Sequence, residues 1–204
     1  MNYIDLVAER YPCLAPCREA MEQAVEAIVS MDRQQGTLLL CGNGGSAADC
    51  EHISGELLKG FLSRRPLPAE KRTGIRPELA EKLQDGVRAI PLPSLSALVS
   101  AFCNDVDASA VYAQLVSVLG RPGDVFLGLS TSGNAENVCA AAEAARARGL
   151  FTIAMTGADG GRLAQLCHCA IRVPARETYQ VQELHLPVYH ALCAAVEAAL
   201  FGEG

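Results

Sequence analysis

The chain has 204 residues, half of them hydrophobic, which suits one domain with a sizeable core of its own. A formal net charge of −6 argues against a nucleic-acid-binding surface, the one basic cluster (Arg64, Arg65, Lys71, Arg72, Arg76) being broken by prolines and Glu70. Its nine cysteines are odd in number and several fall in predicted apolar elements (Cys41, Cys103, Cys139, Cys193), so they read as buried thiols rather than a disulfide framework. Neither Cys13/Cys17 nor Cys167/Cys169 has the CxxC spacing of a structural zinc site. No basic-then-apolar leader opens the chain and no window supplies the ~18 apolar residues of a membrane span, so a cytoplasmic protein with no membrane partner is expected.

Residues 2–33 place Ile4, Val7, Met21, Val25, Ile28 and Met31 at helical spacing, with Pro12 and Pro16 interrupting: two helices or one bent one, facing either a core or a subunit partner. Residues 37–57 then read as strand, glycine turn and helix in immediate succession. Thr37 to Cys41 has the apolar run of a buried parallel strand, and Gly42, Gly44 and Gly45 break it. Ser46 is the expected N-cap, with Asp49 and Glu51 in the first turn. The glycines let an anion approach the unpaired amides of the helix start. His52 and Glu56, at i and i+4, share one face of that helix.

Residues 62–87 form a proline- and charge-rich excursion with one short helix expected between Pro77 and Gly86, either a solvated loop or a lid beside the site. A second strand near 88–92 leads to a helical LSALVSAFC, then Asn104 and Asp105, and a helix near 108–119. The third strand, 124–130, ends in Ser130, Thr131, Ser132, Gly133 and Asn134 before a helix closed by Gly149, so the opening pattern recurs. A strand near 150–155, a third glycine turn at 156–161, a strand near 167–173 and a helix over 179–201 complete the chain. His168, between two cysteines in the last strand, and His185, five residues from His190, read as structural histidines; Pro187 should kink the last helix. Strands alternating with helices imply an α/β fold whose ligands bind beyond the carboxyl ends of the strands, where all three glycine turns lie.

Three hydroxyls at 130–132, two glycine turns and no P-loop lysine or dinucleotide motif favour a sugar phosphate over a nucleotide. The set CGNGGSAADCEHISGEL, FCNDVD, GRPGDVFLGLSTSGNAENV, MTGADGGRLAQL and RVPARETYQVQELHLPVYHAL resembles the phosphoheptose isomerase branch of the sugar isomerase (SIS) domain family, from about residue 37 to the end apart from 62–87. The resemblance implies a single SIS domain over 1–204, a flavodoxin-like three-layer sandwich with a five-stranded parallel sheet and an N-terminal helical segment over 1–33. It implies conversion of sedoheptulose 7-phosphate to D-glycero-D-manno-heptose 7-phosphate by a homotetramer with sites between subunits. Substrate contacts would fall on Asn43, Gly44, Gly45, Glu56, Asn104, Asp105, Ser130, Thr131, Ser132 and Gln182, with Glu56 and His190 catalytic. Zinc, bound by several relatives, would be held by His52, Glu56, Gln182 and His190. Ala135 departs from the family's further serine. A different sugar phosphate, or a non-catalytic scaffold that binds the replication initiator, are the alternatives; retention of His52, Glu56 and His190 together argues against the scaffold.

Overall fold

The computed structural model describes residues 2–202. These form an all-parallel sheet in the order β2-β1-β3-β4-β5, made of β1 (Leu38–Cys41), β2 (Ala89–Pro91), β3 (Val125–Ser130), β4 (Phe151–Thr156) and β5 (Cys169–Arg172). Chain order reverses once, between β2 and β3, so right-handed crossovers put helices on both faces. Strand periodicity sorts the core. Leu38, Leu40, Val125, Leu127, Leu129, Ile153 and Met155 point to one face, while Leu39, Cys41, Phe126 and Ala154 point to the other. Both faces are covered, which is why β1 and β3 are continuous apolar runs rather than alternating ones.

The first face packs against α1 (Tyr3–Arg10), α2 (Arg18–Arg33), α3 (Gly45–Leu58) and the long α9 (Thr178–Phe201). The second packs against α5 (Ser96–Phe102), α6 (Val111–Leu119), α7 (Glu136–Ala147) and α8 (Gly161–Leu166), and the short α4 (Pro77–Ala80) lies in the 62–87 excursion. Between α1 and α2 a 3₁₀ turn, Pro12–Cys17, absorbs both early prolines, so the N-terminal segment is two helices. Its apolar face joins the core through Ile4, Val7, Met21, Ala24 and Ile28. Among the described residues α9 alone is long and apolar enough to cross a membrane, against the sequence expectation of no such window; half of its apolar window is buried inside the fold, where it contacts α1, α2 and α3.

Several local expectations are corrected. α3 starts at Gly45, with Gly44 in the N-cap position, so Ser46 is a buried first-turn residue and Asp49 and Glu51 fall beyond the first turn. The backbone of Gly44 (φ +54°) makes the cap, since its carbonyl accepts from Ala47 and Ala48. Cys103 is exposed; all nine cysteines are unpaired. His168 sits just before β5 and accepts from the Thr152 amide at 3.0 Å while stacking on Phe151, the structural role expected of it. α9 is continuous through Pro187.

The helix expected between Pro77 and Gly86 ends at Ala80. Tertiary bonds take the following residues out of the helical pattern. Gln84 pairs with Pro66 and accepts from the Gly60 amide, the Asp85 amide donates to the Arg65 carbonyl, and Lys71 pairs with Asp85. The excursion at 62–87 is thus tied down at both ends.

Candidate active site

The starts of α3 and α7 face the carboxyl edge of the sheet, and neither has a side-chain cap. In the first turn, Gly44 takes a left-handed conformation that side chains rarely adopt, and a Cβ at Gly45 would collide with the Gln182 amide of α9. That contact brings the first glycine turn and the last helix together. Asn43 is held by reciprocal amide bonds with Asn137 of α7, at 2.9 and 3.0 Å, and the Tyr112 hydroxyl donates to the Gly42 carbonyl beside it at 3.0 Å.

In the second turn, Ser130 ends β3 and is buried, its Oγ 3.4 Å from the Ala135 amide. Thr131 accepts from the Gly157 amide at 3.0 Å, and Ser132 Oγ accepts from the Asn134 amide at 3.1 Å. Asn134 does not cap α7; its Oδ1 accepts from the Arg162 amide, tying this loop to the third glycine turn. Among the described residues the Glu136 and Asn137 amides at the start of α7 have no partner and remain available to an anion, next to three hydroxyls, while the Val138 and Cys139 amides donate to the Ala135 carbonyl.

At Gly133 the backbone is left-handed (φ +68°), and a Cβ there would collide with the Gly160 carbonyl oxygen, which is backbone and cannot swing aside. Gly133→Ala should therefore push the 130–134 loop off the third turn. The expected result is KM for a phosphorylated sugar raised at least about 10-fold with a lowered melting temperature, since positive-φ strain alone costs about 1–3 kcal/mol. Steady-state kinetics and thermal unfolding measure the two effects, and a variant with unchanged KM would remove this loop from the anion site.

The reactive side chains converge from α3 and α9. His52 Nε2 lies 3.3 Å from Glu56 Oε1 and 3.5 Å from His190 Nε2. Glu56 Oε2 pairs with Lys59 Nζ at 3.0 Å, so each carboxylate oxygen has a partner. Burial, and next the neighbouring His52, push the His190 pKa below the ordinary imidazole value, with Glu56 pulling the other way. His52 Nδ1 meets the Tyr189 hydroxyl at 3.0 Å, and that hydroxyl donates to Asp49 Oδ1 at 3.3 Å. The Tyr189 hydroxyl thus ties the His52 ring to Asp49 and holds its Nε2 edge toward Glu56 and His190. Burial raises the pKa of Asp49, which the Tyr189 bond partly offsets, and burial followed by the nearby Asp49 charge raises that of Tyr189.

Of the residues named from sequence, His52, Glu56 and His190 form one cluster, with Gln182 against the adjacent turn. Asn43, Gly44 and Gly45 make that turn, and Ser130, Thr131 and Ser132 make the neighbouring loop. Asn104 and Asp105 lie exposed on a π-helical turn, Cys103–Asp107, bonded to each other at 2.8 Å. No side-chain hydrogen bond among the described residues joins that pair to the other candidate site residues. Sequence reasoning missed Asp49, Tyr112, Asn137 and Tyr189. Asp49 lies one helical turn before His52, a spacing that could have found it; Tyr112 and Asn137 have no signal short of the fold.

The donor set of two imidazoles, a carboxylate and an amide suits zinc chemically. The 3.3 and 3.5 Å separations match the edge of a tetrahedron with metal–ligand distances of about 2.0–2.2 Å. Among the described residues, however, no three His, Cys, Asp or Glu side chains already converge as a metal cage.

Residues 3–157 match the SIS domain family. A phosphoheptose isomerase from Rhodospirillum rubrum is 37% identical over 199 residues, covering 97% of this chain and 95% of that protein. One from Desulfovibrio desulfuricans is 40% identical over 166 residues, covering 81% and 70% respectively. The solved phosphoheptose isomerase of Neisseria gonorrhoeae superposes with a TM-score of 0.74 at 32% identity, covering 96% of this chain and 91% of that one. With its sheet order, uncapped glycine turns and His–Glu–His cluster accounted for, the chain belongs to the SIS domain family and, within it, to the phosphoheptose isomerases.

Proposed function

We propose that this protein is an aldose–ketose isomerase converting sedoheptulose 7-phosphate to D-glycero-D-manno-heptose 7-phosphate through an enediol. The observation that carries it is the juxtaposition of Glu56, His52 and His190 beside two uncapped helix starts, in a chain that shares its family with proteins named for this activity. The phosphate would rest on Ser130, Thr131, Ser132 and the α7 amides, with Asn43, Gly44, Gly45, Asn104, Asp105 and Gln182 orienting the sugar.

The reaction moves one proton between adjacent carbons. Glu56, as carboxylate, takes the proton from C1 of the ketose; the C2 carbonyl oxygen gains a proton and an enediol forms. Glu56 then returns its proton to C2 while the O1 hydroxyl gives one up, leaving an aldehyde at C1. His190, held neutral by burial, is suited to both giving and accepting the oxygen protons. The proposal includes zinc held by His52, Glu56, Gln182 and His190, which when bound would polarise the sugar carbonyl.

The assembly we propose is a cytoplasmic homotetramer whose sites lie between subunits. An open apolar groove of about 390 Å³, lined by Leu6, Val7, Phe61, Leu186, Pro187 and His190 among others, opens beside the cluster and supports a subunit partner there. Purified protein supplied with sedoheptulose 7-phosphate should form the aldose, detected by chromatography. A panel of other ketose phosphates separates the alternative substrates, and metal analysis with light scattering reads zinc content and subunit number. Absence of turnover with every member of the panel, with or without added zinc, would rule the reading out.

A further inference from the structure

We propose that the buried Arg65–Glu197 ion pair is a positioning device for the reaction, holding the carboxyl-terminal turn of α3, and with it Glu56, against the helix that carries His190. The inference rests on the isomerase reading above and adds two residues to it.

Glu56 and His190 stand on different helices, and α3 ends two residues after Glu56. The last carbonyls of a helix have no intrahelical partner, so the end that carries Glu56 is free to fray unless something outside binds it. Arg65 does so. Its guanidinium donates to the Leu57 carbonyl at 2.9 Å and reaches the Glu56 carbonyl at 3.4 Å. The same guanidinium donates through Nε to Glu197 Oε1 at 2.7 Å and lies over the Phe201 ring, 4.5 Å from its centroid. Both partners are 2% exposed.

Glu197 follows His190 by seven residues, two helical turns, on the same face of α9. Its carboxylate also accepts from three consecutive amides, Phe61 at 2.8 Å, Leu62 at 2.7 Å and Ser63 at 3.2 Å. The strap these amides form carries the Phe61 ring to 5.6 Å from the His190 ring. One ion pair thus links the backbone of Glu56, the wall behind His190 and α9 itself.

A pair kept for stability alone could be replaced by apolar side chains at little cost. What apolar side chains cannot do is bind the α3 carbonyls and the strap amides at once. Arg65 is the residue type for this task, because its planar fork serves several acceptors simultaneously whereas lysine is a single point charge.

The experiment compares Arg65→Lys and Glu197→Gln with the unmodified protein by kcat, KM, thermal unfolding and the His190 ring-proton resonance. Arg65→Lys keeps the charge but loses the fork. It should fold, lose about 10-fold or more in kcat with KM changed by less than about 3-fold, and shift the His190 resonance; Glu197→Gln should shift it in the same way. A folded variant with kcat within about 2-fold and an unmoved resonance would overturn the proposal, leaving the pair a structural one. If Arg65→Lys does not fold, Glu197→Gln decides on the same readouts, and loss of the fold in both also overturns it. If the unmodified protein turns over no sugar phosphate, the isomerase reading fails separately, and the His190 resonance alone decides whether the pair sets the cluster.

Discussion

Glu56→Gln should lower kcat for ketose-to-aldose conversion by about 10²–10⁴-fold, the range that a positioned general base contributes. The amide is nearly the same size but cannot take a carbon-bound proton. The substitution keeps an oxygen for His52 or Lys59, so the cluster should hold its shape, and KM should change much less than kcat. His190→Gln should produce a loss of similar order, by removing the group that exchanges protons with the sugar oxygens. Exchange of the carbon-bound proton with solvent deuterium separates the two roles: Glu56→Gln should abolish it, whereas His190→Gln should retain some. Zinc content measured on the same samples tells loss of a base from loss of a ligand. Glu56→Gln with kcat within about 3-fold of the unmodified protein would remove Glu56 from the chemistry.

The second large effect concerns stability. His185 is fully buried, neither ring nitrogen meets hydrogen-bond geometry with a partner among the described residues, and burial pushes its pKa down to about 4, the nearby Thr156 backbone acting in the opposite direction. An unfolded histidine titrates near 6.5. Between these values the unfolded chain binds the proton and the folded chain does not, so stability is complete above about pH 6.5 and falls as the pH drops through about 4. At pH 5 the expected loss from this residue is about 2 kcal/mol. His168 and His190 are shifted in the same direction and Asp49 in the opposite one, so the measurement must be a difference. His185→Leu should leave stability at pH 7.5 equal or higher and should flatten its decline to pH 5, read from urea midpoints at both pH values. An identical decline in the variant would show that His185 is not the group being titrated. Glu197 does not confuse this window, because the Phe61 and Leu62 amides and Arg65 outweigh its burial and hold its pKa below the ordinary carboxyl value, so its contribution fades only at lower pH.

The α/β alternation was legible because continuous apolar runs and glycine turns are properties of adjacent residues. So was the grouping of His52 with Glu56, which helical spacing places on one face. Where local reasoning was overruled, a distant partner was responsible. The nine residues from Pro77 to Asp85 have a helical pattern, but Gln84 and Asp85 are bonded back to residues 60–71. Ser46 is a good capping residue by type, yet the sharp turn puts the cap at Gly44, two residues earlier.

The sequence by itself determined the class of fold, the three glycine turns at one sheet edge and the residue types of the candidate site. Those rest on hydrophobic period and on backbone freedom, both local. Only the tertiary structure decided which groups meet: Tyr189 and Asp49 orienting His52, Asn137 holding Asn43, and Arg65 reaching Glu197 across 132 residues. Such contacts depend on how α3 and α9 cross and where the strap at 61–65 returns, which packing of the whole core determines.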